Sequence, residues 1–195
     1  MSPRKDKGTI RAFIAVDVPP PVQEALGELQ RGMEEAGLKA RWPRPQDVHV
    51  TLAFLGNVPA EQVPELRAAM EEAAQGAGPL EVHVGGVGAF PNERWPRVIW
   101  VGFEEPTGGL AALHKRLEAA LVPLGYEPED RPFRPHLTVA RIKVPARAGR
   151  VVHALEAHKD VDLGKITIDR IVLYQSTLKP TGPAYTVLEE VALGG

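Results

Sequence analysis

The chain has 195 residues, 44% of them hydrophobic, and a formal net charge of −2. That suits one domain, or two small lobes sharing an interface, and provides no overall field that would attract a nucleic acid; an RNA partner needs a local basic patch. The lack of cysteine excludes disulfides, thiolate zinc sites and cysteine nucleophiles together.

In chain order, Arg11–Val18 reads as a strand, with Phe13 among small and branched residues. Prolines at 19–21 open a helix whose apolar residues are Val22, Leu26, Leu29 and Met33, and Gly37 stops it. A Pro/Arg-rich turn leads into the strand Asp47–Gly56, then a helix over Pro59–Gly78 and a strand over Leu80–Phe90. The plan then repeats: a strand at Arg97–Phe103, a helix at Gly108–Gly125, a strand at Phe133–Ile142, a helix over 146–160 and one strand over Gly164–Ser176. Gly182–Leu193 adds a last strand, and Phe90–Arg97 reads as the connector between repeats.

Two copies of one unit predict a pseudo-two-fold pair of lobes. The expected fold class is α+β: each lobe an antiparallel sheet with helices on its outer face, the two enclosing a central cleft. Lobe one is expected over about 10–90, lobe two over about 97–180 and the C-terminal strand over about 183–192, all within one domain. The first ten residues are not followed by a secretory-type apolar run, and no segment is long and apolar enough to span a bilayer, so a cytoplasmic protein away from membranes is expected.

Each repeat carries His-x-Thr on the same strand, "HVTLAFLG" from His49 and "HLTVARIK" from His136. Strand alternation puts His49 and Thr51 on one face, with Val48, Val50, Leu52 and Phe54 on the core face. His136 and Thr138 stand likewise opposite Leu137 and Val139. Under a pseudo-two-fold, two imidazoles and two hydroxyls meet in the cleft. One imidazole can act as base while the other, protonated, acts as acid, and the threonines can hold a developing oxyanion. A lone His-x-Thr carries little weight; two at matching points of a duplication carry a great deal. His83, His114, His153 and His158 lack the following Thr and give no metal-ligand spacing, so they read as structural or solvated.

On these motifs, together with "RAFIAVDVP", "GVGAFPNERWPRVIWVG" and "YQSTLKPTGPAYTVL", the chain resembles the 2H phosphoesterase superfamily. Within it, the chain is similar to the bacterial and archaeal RNA 2′,3′-cyclic phosphodiesterases, also called 2′-5′ RNA ligases. The resemblance implies hydrolysis of a cyclic phosphate at an RNA end to a 2′-phosphate, without metal or other cofactor. It implies His49 as proton donor to the leaving 3′-oxygen and His136 as proton acceptor from water, roles that the symmetry of the sequence leaves open. It also implies an RNA substrate with a cyclic-phosphate end, tRNA halves among the candidates, and a monomeric protein.

Substrate contacts are less determined. Arg134 shares strand parity with His136 and is expected to reach the phosphate, whereas Arg141, of opposite parity, does so only if the strand bends. Arg41, Trp42 and Arg44 form either a charged and stacking surface suited to a nucleotide or a Pro-rich turn with one half-buried Trp. Phe13, Phe90 and Trp95 read as packing residues. Two other functions stay open at this point: a nucleotide-binding module without turnover, and a phosphodiesterase for a non-RNA cyclic phosphate or a 2′-5′ oligonucleotide.

Overall fold

The computed structural model describes residues 8–142, 148–180 and 182–194. Most of the opening segment and the expected helix start at 146–147 lie outside them. The elements run β1 (Thr9–Asp17), α1 (Pro20–Glu35), β2 (His49–Pro59), α2 (Val63–Ala74), β3 (Leu80–Phe90), β4 (Val98–Glu104), α3 (Gly109–Leu121), β5 (His136–Arg141), α4 (Ala148–Ala157), β6 (Asp162–Ile168), β7 (Arg170–Lys179) and β8 (Gly182–Ala192). Helix α1 starts where proline costs no hydrogen bond, buries Val22, Leu26, Leu29 and Met33 on one side, and is followed by Gly37 at φ 86°.

Two four-stranded antiparallel sheets result, ordered β2-β1-β7-β8 and β5-β4-β3-β6. The α+β class and the duplication stand, but the halves interlock. The first repeat gives β3 to the second sheet, and the second repeat gives β7 to the first. Helix α1 lies against β5 and β6, while α3 lies against β2. A cut between residues 90 and 97 therefore separates two repeats of sequence but not two sheets. One continuous apolar core, including Ile14, Leu26, Leu66, Ile99, Leu117 and Leu137, joins everything.

The single strand expected over Gly164–Ser176 is two strands. It breaks at Asp169, where the chain leaves the second sheet for the first. The Asp169 carbonyl accepts from the Leu193 N–H at 2.7 Å, so the crossing point is tied to the end of β8.

A second departure governs the site. Between β1 and β2, Ile14 pairs with Ala53 and Ala15 with Thr51, which leaves Leu52 as an extra residue. Between β4 and β5, Ile99 pairs with Ala140 and Trp100 with Thr138, leaving Val139 extra. The same bulge thus follows the threonine in both repeats. A bulge shifts the alternation by one residue. Phe54, expected in the core, is consequently 67% exposed, and Leu55 is buried in its place.

The second bulge is held from outside its sheet. Gln30 on α1, itself buried, donates its side-chain amide to the Val139 carbonyl at 3.0 Å and to the Pro43 carbonyl at 2.9 Å. Gln30→Leu keeps the volume and leaves both carbonyls without that donor. It should cost about 1–3 kcal/mol, read as a lower urea midpoint at unchanged slope. An unchanged midpoint would show that the bulge needs no such support.

Candidate active site

His49 and His136 open β2 and β5, the edge strands of the two sheets. These strands lie beside each other, and Arg41, in the loop before β2, pairs with Arg141 at the end of β5 through backbone bonds of 2.8 and 2.9 Å. Both His-Thr pairs therefore border the groove between the sheets. His49, Thr51, His136 and Thr138 are each half-buried, while Val48, Val50, Leu52, Leu137 and Val139 fill the core, as alternation requires up to each bulge.

The two imidazoles are held in the same way. His49 Nδ1 lies 3.0 Å from the Asp47 carbonyl, and His136 Nδ1 lies 2.7 Å from the Arg134 carbonyl. A carbonyl oxygen can only accept, so Nδ1 carries the proton in each ring. Nε2 is then the nitrogen left for chemistry: a base while the ring is neutral, an acid once it is protonated. Both rings are thus fixed in the same way, through the residue two positions earlier, and present the same nitrogen.

Their surroundings differ. Phe13 stacks on His49 with ring centres 4.6 Å apart, Tyr185 meets it edge-on at 5.2 Å, and Tyr174 lies 6.2 Å away. This aromatic cover strips water from the His49 ring and pushes its pKa below the ordinary value. The Asp47 carbonyl and the Asp17 and Asp47 charges oppose that effect without overcoming it. The Tyr174 hydroxyl donates to the Asp17 carboxylate, 2.8 Å from both oxygens, and burial and that carboxylate raise its pKa. His136 meets one aromatic ring, Phe90, edge-on at 5.0 Å, and Phe90 in turn leans on Trp100 at 5.3 Å. Gly88 permits this, because a Cβ there would collide with the Trp100 ring.

The remaining sequence candidates separate. Arg141 does reach the groove, because the bulge at Val139 turns Ala140 into the core and Arg141 out. Together with Arg11 and Arg41 it acts on Tyr185, whose pKa is raised first by burial and then by Asp47, while the three guanidiniums pull it down. Three cations thus gather beside the ring that packs on His49. The Arg134 side chain is exposed, and it is the backbone of Arg134 that serves His136. Trp42 is half-buried and packs against the core. Arg44 is engaged 2.6 Å from Asp47. Trp95, expected to pack, is 70% exposed. Of the other histidines, His83 pairs with Asp162 at 2.8 Å and His114 stacks on Phe133 at 4.0 Å. Among the described residues, no three His, Cys, Asp or Glu side chains gather as metal ligands would.

Phe13, Tyr174, Tyr185 and Arg11 are the residues that sequence reasoning left out of the site, whereas Arg41 is among its candidates. Strand parity pairs Phe13 with Ala15 and Asp17, the partners of Thr51 and His49, but only the register reveals it. Tyr174 and Tyr185 lie in strands read as belonging elsewhere.

Phe13→Ala should re-expose the His49 ring to water. Its charged form then regains solvation, so the His49 titration should move up toward the ordinary histidine range near about 6.5. Ring-proton NMR across pH reads this, with His136 as the internal control. An unmoved His49 would eliminate burial by Phe13 as the cause.

Comparison with known proteins places these features. A family described as LigT-like phosphoesterases matches twice, over residues 16–100 and 101–185, one match per repeat. An RNA 2′,3′-cyclic phosphodiesterase of Thermus thermophilus is 37% identical, over 95% of this chain and 91% of its own. Another, from Methanothermobacter thermautotrophicus, is 31% identical over 92% of this chain and 97% of its own. Among solved structures, a Thermus thermophilus protein superposes with a TM-score of 0.79 at 34% identity, covering 94% of this chain and 98% of its own. LigT of E. coli complexed with 3′-AMP gives 0.74 at 25% identity, covering 96% and 99%. With the doubled family match falling on the doubled His-x-Thr unit, the chain belongs to the LigT-like phosphoesterase family.

Proposed function

We infer that this protein is a cyclic phosphodiesterase that opens RNA 2′,3′-cyclic phosphate ends to 2′-phosphates. The observation that carries it is the pair of His-x-Thr units on adjoining edge strands, each with Nδ1 committed to a carbonyl and Nε2 left for the substrate. The curated relatives named for this activity, and the E. coli relative holding 3′-AMP, support the same substrate class.

In this reading His136 Nε2 takes a proton from water as the water oxygen bonds to phosphorus. The P–O3′ bond breaks, and the 3′-oxygen receives the proton of His49 Nε2. Thr51 and Thr138 donate to the phosphoryl oxygens as charge builds on them, and Arg141, Arg11 and Arg41 draw the anion in. Burial lowers the His49 pKa, which makes its protonated form a stronger acid but scarcer in the free protein. The arriving phosphate anion offsets this by favouring the imidazolium. Every proton and bond is accounted for without a metal or nucleotide cofactor. An RNA 5′-hydroxyl in place of water gives a 2′-5′ linkage by the same steps, and the cyclic ester supplies the energy. We assign the protein to the cytoplasm as a monomer acting on ends such as those of tRNA halves.

The test is turnover of a short RNA bearing a 2′,3′-cyclic phosphate, with product analysis. His49→Ala and His136→Ala should each lower turnover by about 10²–10⁴-fold, and the double variant by far less than the product. Against a substrate with an activated leaving group, such as a nitrophenyl phosphodiester, His49→Ala should lose much less while His136→Ala loses as before. The reverse pattern would exchange the roles. Near-normal turnover by either single variant would remove the assignment, and tight binding without turnover in the native protein would make this a receptor.

A further inference from the structure

Beside the groove, the second sheet carries a shallow, wide-open cavity of about 470 Å³, lined by Val87, Gly88, Ala89, Trp100 and the hairpin tip with Asn92, Glu93 and Arg94. All of its lining residues lie on the β3–β4 hairpin, and none on the first sheet. Trp100 faces Thr138 across the β4–β5 pair and touches Phe90, whose ring meets His136. The cavity thus adjoins the His136 side of the site, away from His49 and its aromatic cover. The hairpin tip is set: Asn92 Oδ1 accepts from the Arg94 and Trp95 backbone N–H groups, both at 3.0 Å.

Attacking and leaving oxygens lie on opposite sides of phosphorus in an in-line displacement. If His49 serves the leaving 3′-oxygen and His136 the nucleophile, the nucleophile comes from the His136 side, to which Trp100 and Phe90 connect this cavity. We propose that the cavity holds the nucleoside of an acceptor RNA whose 5′-hydroxyl attacks the cyclic phosphate, with Arg94 meeting the phosphate on that nucleoside's 3′ side. This rests on the cyclic phosphodiesterase reading and adds to it a second RNA subsite. The O5′–H proton goes to His136, the O5′–P bond forms, the P–O3′ bond breaks, and O3′ takes the proton of His49. A cyclic diester becomes a 2′-5′ diester with no other reactant. Occupancy of the cavity would then decide between joining and hydrolysis, since a bound 5′-hydroxyl competes with water for the same base.

The experiment uses an RNA ending in 2′,3′-cyclic phosphate as donor and a dinucleoside monophosphate with a free 5′-hydroxyl as acceptor, with both products quantified. For the native protein, joining should rise with acceptor and saturate. Arg94→Ala, which removes a charge-assisted phosphate contact, should lower joining at subsaturating acceptor by about tenfold while hydrolysis without acceptor stays within about twofold. Glu93→Lys, which exchanges the one acid of the lining for a cation, should lower the acceptor concentration at half-saturation and likewise spare hydrolysis. Joining that stays linear in acceptor, or is untouched by both variants, would overturn the proposal. So would an equal loss of hydrolysis, which would give the cavity to the donor strand. Absence of hydrolysis in the native protein would instead bring down the underlying reading, and this subsite with it.

Discussion

The site depends on one hydrogen bond made twice: the Nδ1–H of a strand-opening histidine to the carbonyl two residues before it. The bond reaches 3.0 Å at His49 and 2.7 Å at His136. It costs no side chain, because the acceptor is backbone. It selects the tautomer, limits rotation of the ring and leaves Nε2 for proton transfer. Threonine two positions on shares the histidine's face, so one short segment supplies a proton carrier and a hydroxyl together. Duplication supplies the second set, and the adjacency of β2 and β5 brings the sets to one groove.

Duplicated motifs need not have duplicated surroundings. Ala15 occupies in β1 the place that Trp100 occupies in β4, as their pairing with Thr51 and Thr138 shows. The first repeat therefore has room to lay Phe13 on His49 beneath two tyrosines, whereas the second fills that room with an indole and leaves His136 against Phe90. A symmetric pair of imidazoles would share one proton affinity. Burial lowers the proton affinity of His49, so its role as the acid requires the bound phosphate to favour its imidazolium.

Strand parity made the His-x-Thr pairs, their core partners and the repeated element order legible in the sequence. The fold class followed from these. What stayed hidden was set by interactions distant in the chain. The bulges at Leu52 and Val139 are register events between strands, and they decide that Phe54 faces out and that Arg141 reaches the groove. The exchange of β3 and β7 between sheets depends on which edges are left to pair, which local pattern does not encode. The break at Asp169 lies inside a run whose composition reads as one strand. Tyr185 joins the site only because β8 pairs with β7.

The central claim is that the imidazoles of both His-x-Thr motifs are fixed with the proton on Nδ1 and the lone pair on Nε2. Nitrogen-15 NMR of histidine-labelled protein, above the titration of both rings, reads the tautomer of each directly, with His49→Ala and His136→Ala assigning the signals. The account predicts the Nδ1–H form for both rings, with Nε2 showing the shift of an unprotonated nitrogen. An Nε2–H form at either position would contradict it: at His136 the nitrogen facing the substrate would have no lone pair to take the nucleophile's proton, and at His49 the ring would not be held by an Nδ1–H bond to the carbonyl.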